Sequence, residues 1–169
     1  LLNQNTEIIN VVKSNPDYTI KSWNLSRIGQ AYLNLADYNN AEKWLNKAYN
    51  KEPNNIEFKF KYANSLFAIS SIDEAKNQYL ELLDLYPKHV ASLNNLGHIY
   101  FLESDLQNAT NYFNKALNLD PDYIPALLNK TRVYVKINKI VEAKKILEKI
   151  LKSQPNQSEA MQMLKELNS

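Results

Sequence analysis

The sequence predicts an all-α fold of repeated helical hairpins, and three observations carry that prediction. Only two glycines, Gly29 and Gly97, occur in 169 residues, too few for a fold built on β-hairpins or phosphate-cradling loops. Prolines stand at 53, 87, 121 and 155, each 34 residues after the last. Proline ends a helix because it lacks an amide donor and pushes the preceding residue out of the α region. Between these prolines the apolar residues fall at helical spacing, in two stretches per interval.

The 34-residue step is kept elsewhere. Alanines 41, 75, 109 and 143 follow it, as do Tyr32, Leu66, Tyr100 and Tyr134. A large apolar series runs Leu45, Tyr79, Phe113 and Leu147; a series of small residues runs Gly29, Ala63, Gly97 and Thr131. Each series has a packing reason. A small residue on the first helix and an alanine on the second let two axes approach to about 8–10 Å, and the large residues fill the space beside them.

In chain order, residues 1–21 read as a partial unit. Ile8, Val11 and Val12 precede Pro16 as Phe113, Ala116 and Leu117 precede Pro121, which marks a lone second helix. Pro16 lies 37 residues before Pro53, so the linker 16–21 carries three extra residues. Four complete units follow over 22–157, namely 22–55, 56–89, 90–123 and 124–157. Each is a helix, a short polar break such as "ESD", and a second helix. Residues 158–169 form an amphipathic capping helix, with Ser158 expected as its N-cap and Ala160, Met161, Leu164 and Leu167 expected to cover the last hairpin.

Two places depart from the pattern. Lys59 stands where Leu25, Leu93 and Leu127 stand, and Lys130 replaces Ile28, Tyr62 and Leu96. A lysine stem can lie along apolar surface while its ammonium reaches water, so looser packing is expected there. The stretch "IEFKFKYA" (56–63) alternates like a strand, but the 34-residue register assigns it to a helix.

In the third unit the pattern reads Leu93, Leu96-Gly97, Tyr100, Ala109, Phe113, Ala116 and Pro121. In the first it reads Leu25, Ile28-Gly29, Tyr32, Ala41, Leu45, Ala48 and Pro53. Over residues 22–157 this resembles the tetratricopeptide repeat family. The resemblance implies a right-handed α-solenoid whose first helices line a concave groove, and a non-catalytic protein-interaction module.

Composition and motifs agree with such a module. Hydrophobic residues make up 44%, as in folded soluble proteins. There is no cysteine, so disulfides and thiolate chemistry are excluded. Net charge is +2 from 20 basic and 18 acidic residues, which weighs against a nucleic-acid partner. No apolar run reaches membrane-spanning length, so no membrane insertion is expected. The two histidines, His89 and His98, lack the further ligands a metal site needs. No nucleophile–base pair stands out, so neither a cofactor nor enzymatic activity is expected. The lysines at 136, 139, 144, 145, 149 and 152 fall mostly on a second helix and read as a solvated outer face. Binding to nucleic acid or an acidic membrane would call for a wider basic field.

Carried over from the family, the groove face reads Trp23, Ser26, Arg27, Gln30 and Leu33 in the first unit. It continues as Glu57, Phe60, Lys61, Asn64 and Phe67, then Asn94, Asn95, His98 and Phe101, then Leu128, Asn129, Arg132 and Val135. Aromatics interleaved with Asn, Arg and Lys suit an extended peptide. Residues 27, 61, 95 and 129 form one equivalent row. First helices about 10 Å apart would meet a strand rising about 3.3 Å per residue once every three residues or so. Asn95 and Asn129 are expected to bond its peptide groups, the cations its acidic side chains, and the phenylalanines its apolar ones. Co-chaperone members of the family clamp a C-terminal carboxylate with cations and asparagines on successive first helices. Here Asn64 and Asn95 match that set, but Phe60, Pro125 and Asn129 stand where cations are required, so that subtype is not expected.

Two other readings stand beside peptide recognition. One is a scaffolding or oligomerisation segment that self-associates through Leu1, Ile8, Val11 or the cap helix. The other is a substrate-recruiting part of an enzyme whose chemistry lies elsewhere. A chain opening on Leu1 rather than methionine fits a segment of a longer protein. The compartment leans to the cytoplasm, or to the periplasm if a signal precedes it.

Overall fold

The computed structural model describes residues 2–15, 17 and 21–168. Among them are ten α-helices and no strand. The chain divides into two compact units, Leu1–Leu85 and Tyr86–Ser169. The first holds α1 (Leu2–Ser14), α2 (Ser22–Asn34), α3 (Tyr38–Lys51), α4 (Ile56–Ala68) and α5 (Ile72–Leu85). The second holds α6 (Val90–Leu102), α7 (Leu106–Leu119), α8 (Ile124–Lys136), α9 (Ile140–Ser153) and α10 (Ser158–Glu166). The strand-like stretch 56–63 is the start of α4. Most of the expected linker, residues 16 and 18–20, lies outside the described residues, as do Leu1 and the side chain of Val12.

Within each unit every helix packs on the next, and first helices also touch across hairpins, α2 on α4 and α6 on α8. Both units are therefore short α-solenoids. Leu25, Ala48 and Phe58 share one core with Trp44, so α2 and α3 close onto α4. In the second unit Ala109, Phe113 and Val133 pack with Tyr100, Phe101 and Leu106, joining one hairpin to the next. Leu127, Leu128, Leu147, Ile150 and Ala160 then seal the last hairpin under α10.

The small residues act as the sequence predicts. A methyl group on Gly97 would come within 2.8 Å of the Phe113 ring, and one on Gly29 within 2.8 Å of the Leu45 side chain. The four alanines at 41, 75, 109 and 143 are wholly buried.

Helix starts are chosen by side-chain acceptors. Asp37 accepts from the amide of Asn40 at 3.3 Å and Asp105 from that of Asn108 at 3.0 Å. Asn55 caps α4 through Glu57 and Phe58, and His89 caps α6 through Ser92. The expected cap at Ser158 is corrected by one residue. Ser158 is already helical, and the longer side chain of Gln157 reaches the amide of Ala160 instead.

First helices end in one repeated device. Ala36, Ser70, Ser104 and Asn138 all have positive φ, between 57° and 64°, and again lie 34 residues apart. In each case the residue after it donates to a carbonyl five back: Asp37 to Tyr32, Ser71 to Leu66, Asp105 to Tyr100 and Lys139 to Tyr134. This is the Schellman closure, which usually recruits glycine; here no glycine is used.

The two lysine-bearing hairpins, α4–α5 and α8–α9, are in less extensive contact than α2–α3 and α6–α7, in line with the looser packing expected there. Lys59 is 7% exposed, and its ammonium pairs with the exposed Glu81 at 2.8 Å. Lys130, half-buried on α8, donates to Asn114 on α7 of the preceding hairpin at 2.7 Å. In both, a polar partner on an adjoining second helix, of the same hairpin for Lys59 and of the preceding one for Lys130, holds the ammonium while the stem lies along apolar surface.

Candidate peptide-binding face

First helices carry the candidate residues, and each unit presents its own portion. On the first unit, Arg27 is exposed on α2 and Gln30 donates to Asn34 at 3.1 Å. Lys61 on α4 reaches Glu57 at 2.6 Å and the Ser26 hydroxyl at 3.4 Å. Phe60 lies against the Tyr79 ring at 6.2 Å, and Asn64 accepts from the Tyr79 hydroxyl at 2.6 Å. Phe67 is half-buried, while Trp23 packs edge-on to Phe58 at 4.8 Å.

On the second unit the residues join into one polar chain. Asn94 donates to Asn95 at 3.1 Å, and Asn129 donates to Asn94 at 2.9 Å. Arg132 donates to the Asn129 oxygen at 2.6 Å with one nitrogen and pairs with Glu159 through another. The chain thus crosses α6, α8 and α10. His98 is half-buried, and burial, followed by the Arg132 charge, holds its pKa below the ordinary 6.5.

Beside the chain lies a cavity of about 220 Å³, lined by Phe101, Arg132, Val135, Lys136, Met163, Glu166 and Leu167. The Lys136 ammonium sits 5.2 Å above the Phe101 ring. One apolar side chain of a ligand fits this volume, with cations and a carboxylate at its rim.

Several expected groove residues are deeper than their helical face implied. Ser26 is wholly buried and Leu128 is 4% exposed, inside the last core. Asn94 and Asn129 are buried too. The open amide expected at Asn129 is instead engaged on both sides. Helical periodicity names a face but not its depth, and here the neighbouring first helix covers it. Glu159, Met163, Glu166 and Leu167 are not among the groove residues the sequence names, because it assigns residues 158–169 to capping the last hairpin or to self-association. The signal was available: Ser158 follows Ile124 by 34 residues, so α10 occupies the register of another first helix.

The opposite face of α10 is built differently. Leu151, Met161, Leu164, Lys165 and Asn168 border a cleft of about 560 Å³. Lys165 holds the place of Gly29, Ala63, Gly97 and Thr131, and its bulk and charge oppose close approach of a further helix.

Sequence profiles described as tetratricopeptide repeat match residues 24–55, 60–124 and 100–167. The chain belongs to the tetratricopeptide repeat family. No curated protein sequence matches it. Among solved structures it is similar to TTC0263, a thermophilic repeat protein of Thermus thermophilus. The TM-score is 0.82 at 16% identity, covering 96% of this chain and 88% of that one. It also resembles YrrB, described as a repeat protein with an unusual peptide-binding site. There the TM-score is 0.68 at 17% identity, covering 97% and 84%. A third is MamA from Desulfovibrio magneticus, with TM-score 0.68 at 21% identity and 82% and 78% coverage. At these identities the likeness is one of fold. No group of three or more metal-ligating side chains and no helix suited to crossing a membrane occurs among the described residues.

Proposed function

We propose that this repeat protein recognises an extended peptide or partner segment along its first-helix face. The observation that carries the reading is the second unit's cavity beside the Asn94–Asn129–Arg132–Glu159 chain. A rigid polar ladder fixes Arg132, and next to it an apolar hole lies between three successive first helices. The ligand class this suits is a segment alternating acidic and apolar residues. An apolar side chain enters between Phe101, Val135, Met163 and Leu167. Acidic groups meet Lys136 and Arg132 there; the first unit, by itself, carries Arg27 and Lys61 on its own first helices. Binding should weaken with salt, since these cations lie near solvent. The buried asparagines support the face rather than contact ligand, and Asn95, only half-buried, takes the contacting role.

The experiment is selection of 12-residue segments from a random peptide display library, followed by titration of the winners. Val135 is partly exposed, so Val135→Glu keeps the fold while placing a negative charge at the cavity mouth. The reading predicts acidic-apolar winners whose affinity falls at least about tenfold with Val135→Glu. Winners indifferent to Val135→Glu, but lost on Lys144→Glu with Lys145→Glu, would place recognition on the second helices and overturn it.

A further inference from the structure

The turn from α8 to α9 differs in kind from the three turns equivalent to it. Residues 35–43 hold Asp37, Glu42 and Lys43, a net −1; residues 69–77 hold Asp73, Glu74 and Lys76, again −1; residues 103–111 hold Glu103 and Asp105, −2. Residues 137–145 hold Lys139, Lys144 and Lys145 against Glu142, a net +2. The change extends to the helix start. Asp37 and Asp105 cap α3 and α7 with their carboxylates, whereas Lys139 caps α9 with no side-chain bond. A cation there also opposes the helix dipole, so Lys139 costs α9 stability.

Apolar residues accompany these charges. Val141 is 65% exposed, where the equivalent places hold Asn39, Asp73 and Gln107. Ile137, in the same turn, is 43% exposed, more than the aliphatic Leu35 and Ile69 at the equivalent places of two other turns. Val141, Lys144 and Lys145 lie three and four residues apart, on one stripe of α9 facing away from buried Ala143, Leu147 and Ile150; Glu148 interrupts this stripe and Lys152 continues it, leaving it net basic. Lys149 is set apart from this stripe by its bonds to Asp122 and the Pro121 carbonyl.

The basic field is too narrow to hold an acidic surface by charge alone, but the exposed Val141 and Ile137 add an apolar contact beside it, and we propose that this turn docks on the surface of an anionic lipid bilayer. Ammonium groups around two projecting aliphatic side chains match the boundary between acidic headgroups and acyl chains. A purely polyanionic partner gives no reason for the exposed valine and isoleucine. The contact is peripheral and uses a surface separate from the first-helix face.

The test is co-sedimentation of the full chain with phosphatidylcholine vesicles, with and without phosphatidylserine. Binding is expected only with phosphatidylserine, decreasing with salt, and falling roughly fivefold for each of Lys144→Ala and Lys145→Ala. Val141→Asn should also weaken it. Lys139→Asp should act in two directions at once, raising Tm by restoring a capping carboxylate while lowering vesicle binding. The proposal is overturned if vesicles are not bound or neutral ones bind equally. It is overturned equally if Lys139→Asp raises Tm with vesicle binding unchanged. Binding to soluble polyphosphate that survives Val141→Asn and competes with vesicles would show a simple anion surface and also overturn it.

Discussion

The side-chain amide of Asn129 on α8 donates to the Asn94 oxygen on α6 at 2.9 Å, 35 residues away in sequence, with both groups buried. This bond ties two first helices directly, so repeat stacking in the second unit is partly polar. Its geometry leaves the Asn129 oxygen to hold Arg132.

Removing that link should be costly. Asn129→Ala leaves the Asn94 oxygen without its donor and Arg132 without one acceptor, for a loss of about 1–3 kcal/mol. Asn94→Ala made on top of it should cost less than it does alone, because the partners act as a unit. Urea unfolding of the two single variants and the double variant checks both statements. Strict additivity would mean that the bond contributes nothing to stability.

Glycine should improve the first-helix ends. Ala36, Ser70 and Ser104 hold a left-handed conformation that side chains with a Cβ adopt at a cost. Replacing any of them by glycine should raise stability by about 0.5–1 kcal/mol, after allowance for the looser unfolded chain. Asn138→Gly should gain less, since asparagine tolerates this region. Ala31→Gly, inside α2, should destabilise and serves as the control. Thermal unfolding reads all of these.

The repeat was legible in the sequence; much of its hydrogen bonding was not. The 34-residue step placed every hairpin because proline, alanine and small-residue positions each answer to a strong steric demand. The positive-φ residues give no such signal, since alanine, serine and asparagine fill these four places and glycine, the usual marker, fills none. Only the backbone closure unites them. The candidate face was named by its helical stripe, but Asn129 and Ser26 were placed too near the surface. Glu159 was overlooked because it contacts the face from a helix assigned to capping. Whether a polar side chain meets solvent or a neighbour 27 or 35 residues away depends on stacking distance, which one helix's periodicity does not contain.

Acid should weaken the fold through its histidines. Burial holds both His89 and His98 below the ordinary pKa of 6.5, and the Arg132 charge adds to this at His98. His89 also accepts the Ser92 amide on a ring nitrogen that protonation would block. Between the lowered folded value and 6.5 the unfolded chain binds more protons, so stability rises with pH in that window. Tm should therefore fall from pH about 7.5 to about 5.5. His89→Asp should remove part of that slope and add about 0.3–1 kcal/mol by placing a carboxylate at the start of α6. An unchanged slope in that variant would show that His89 plays no part.

Recognition on the first-helix face is tested most directly by a residue-by-residue amide shift map of the chain as a library-selected peptide is added. The account predicts changes concentrated on α6, α8 and α10, strongest around Asn95, Phe101, Arg132, Val135 and Met163. Saturating changes confined to α7 and α9, with those first-helix amides unmoved, would contradict it.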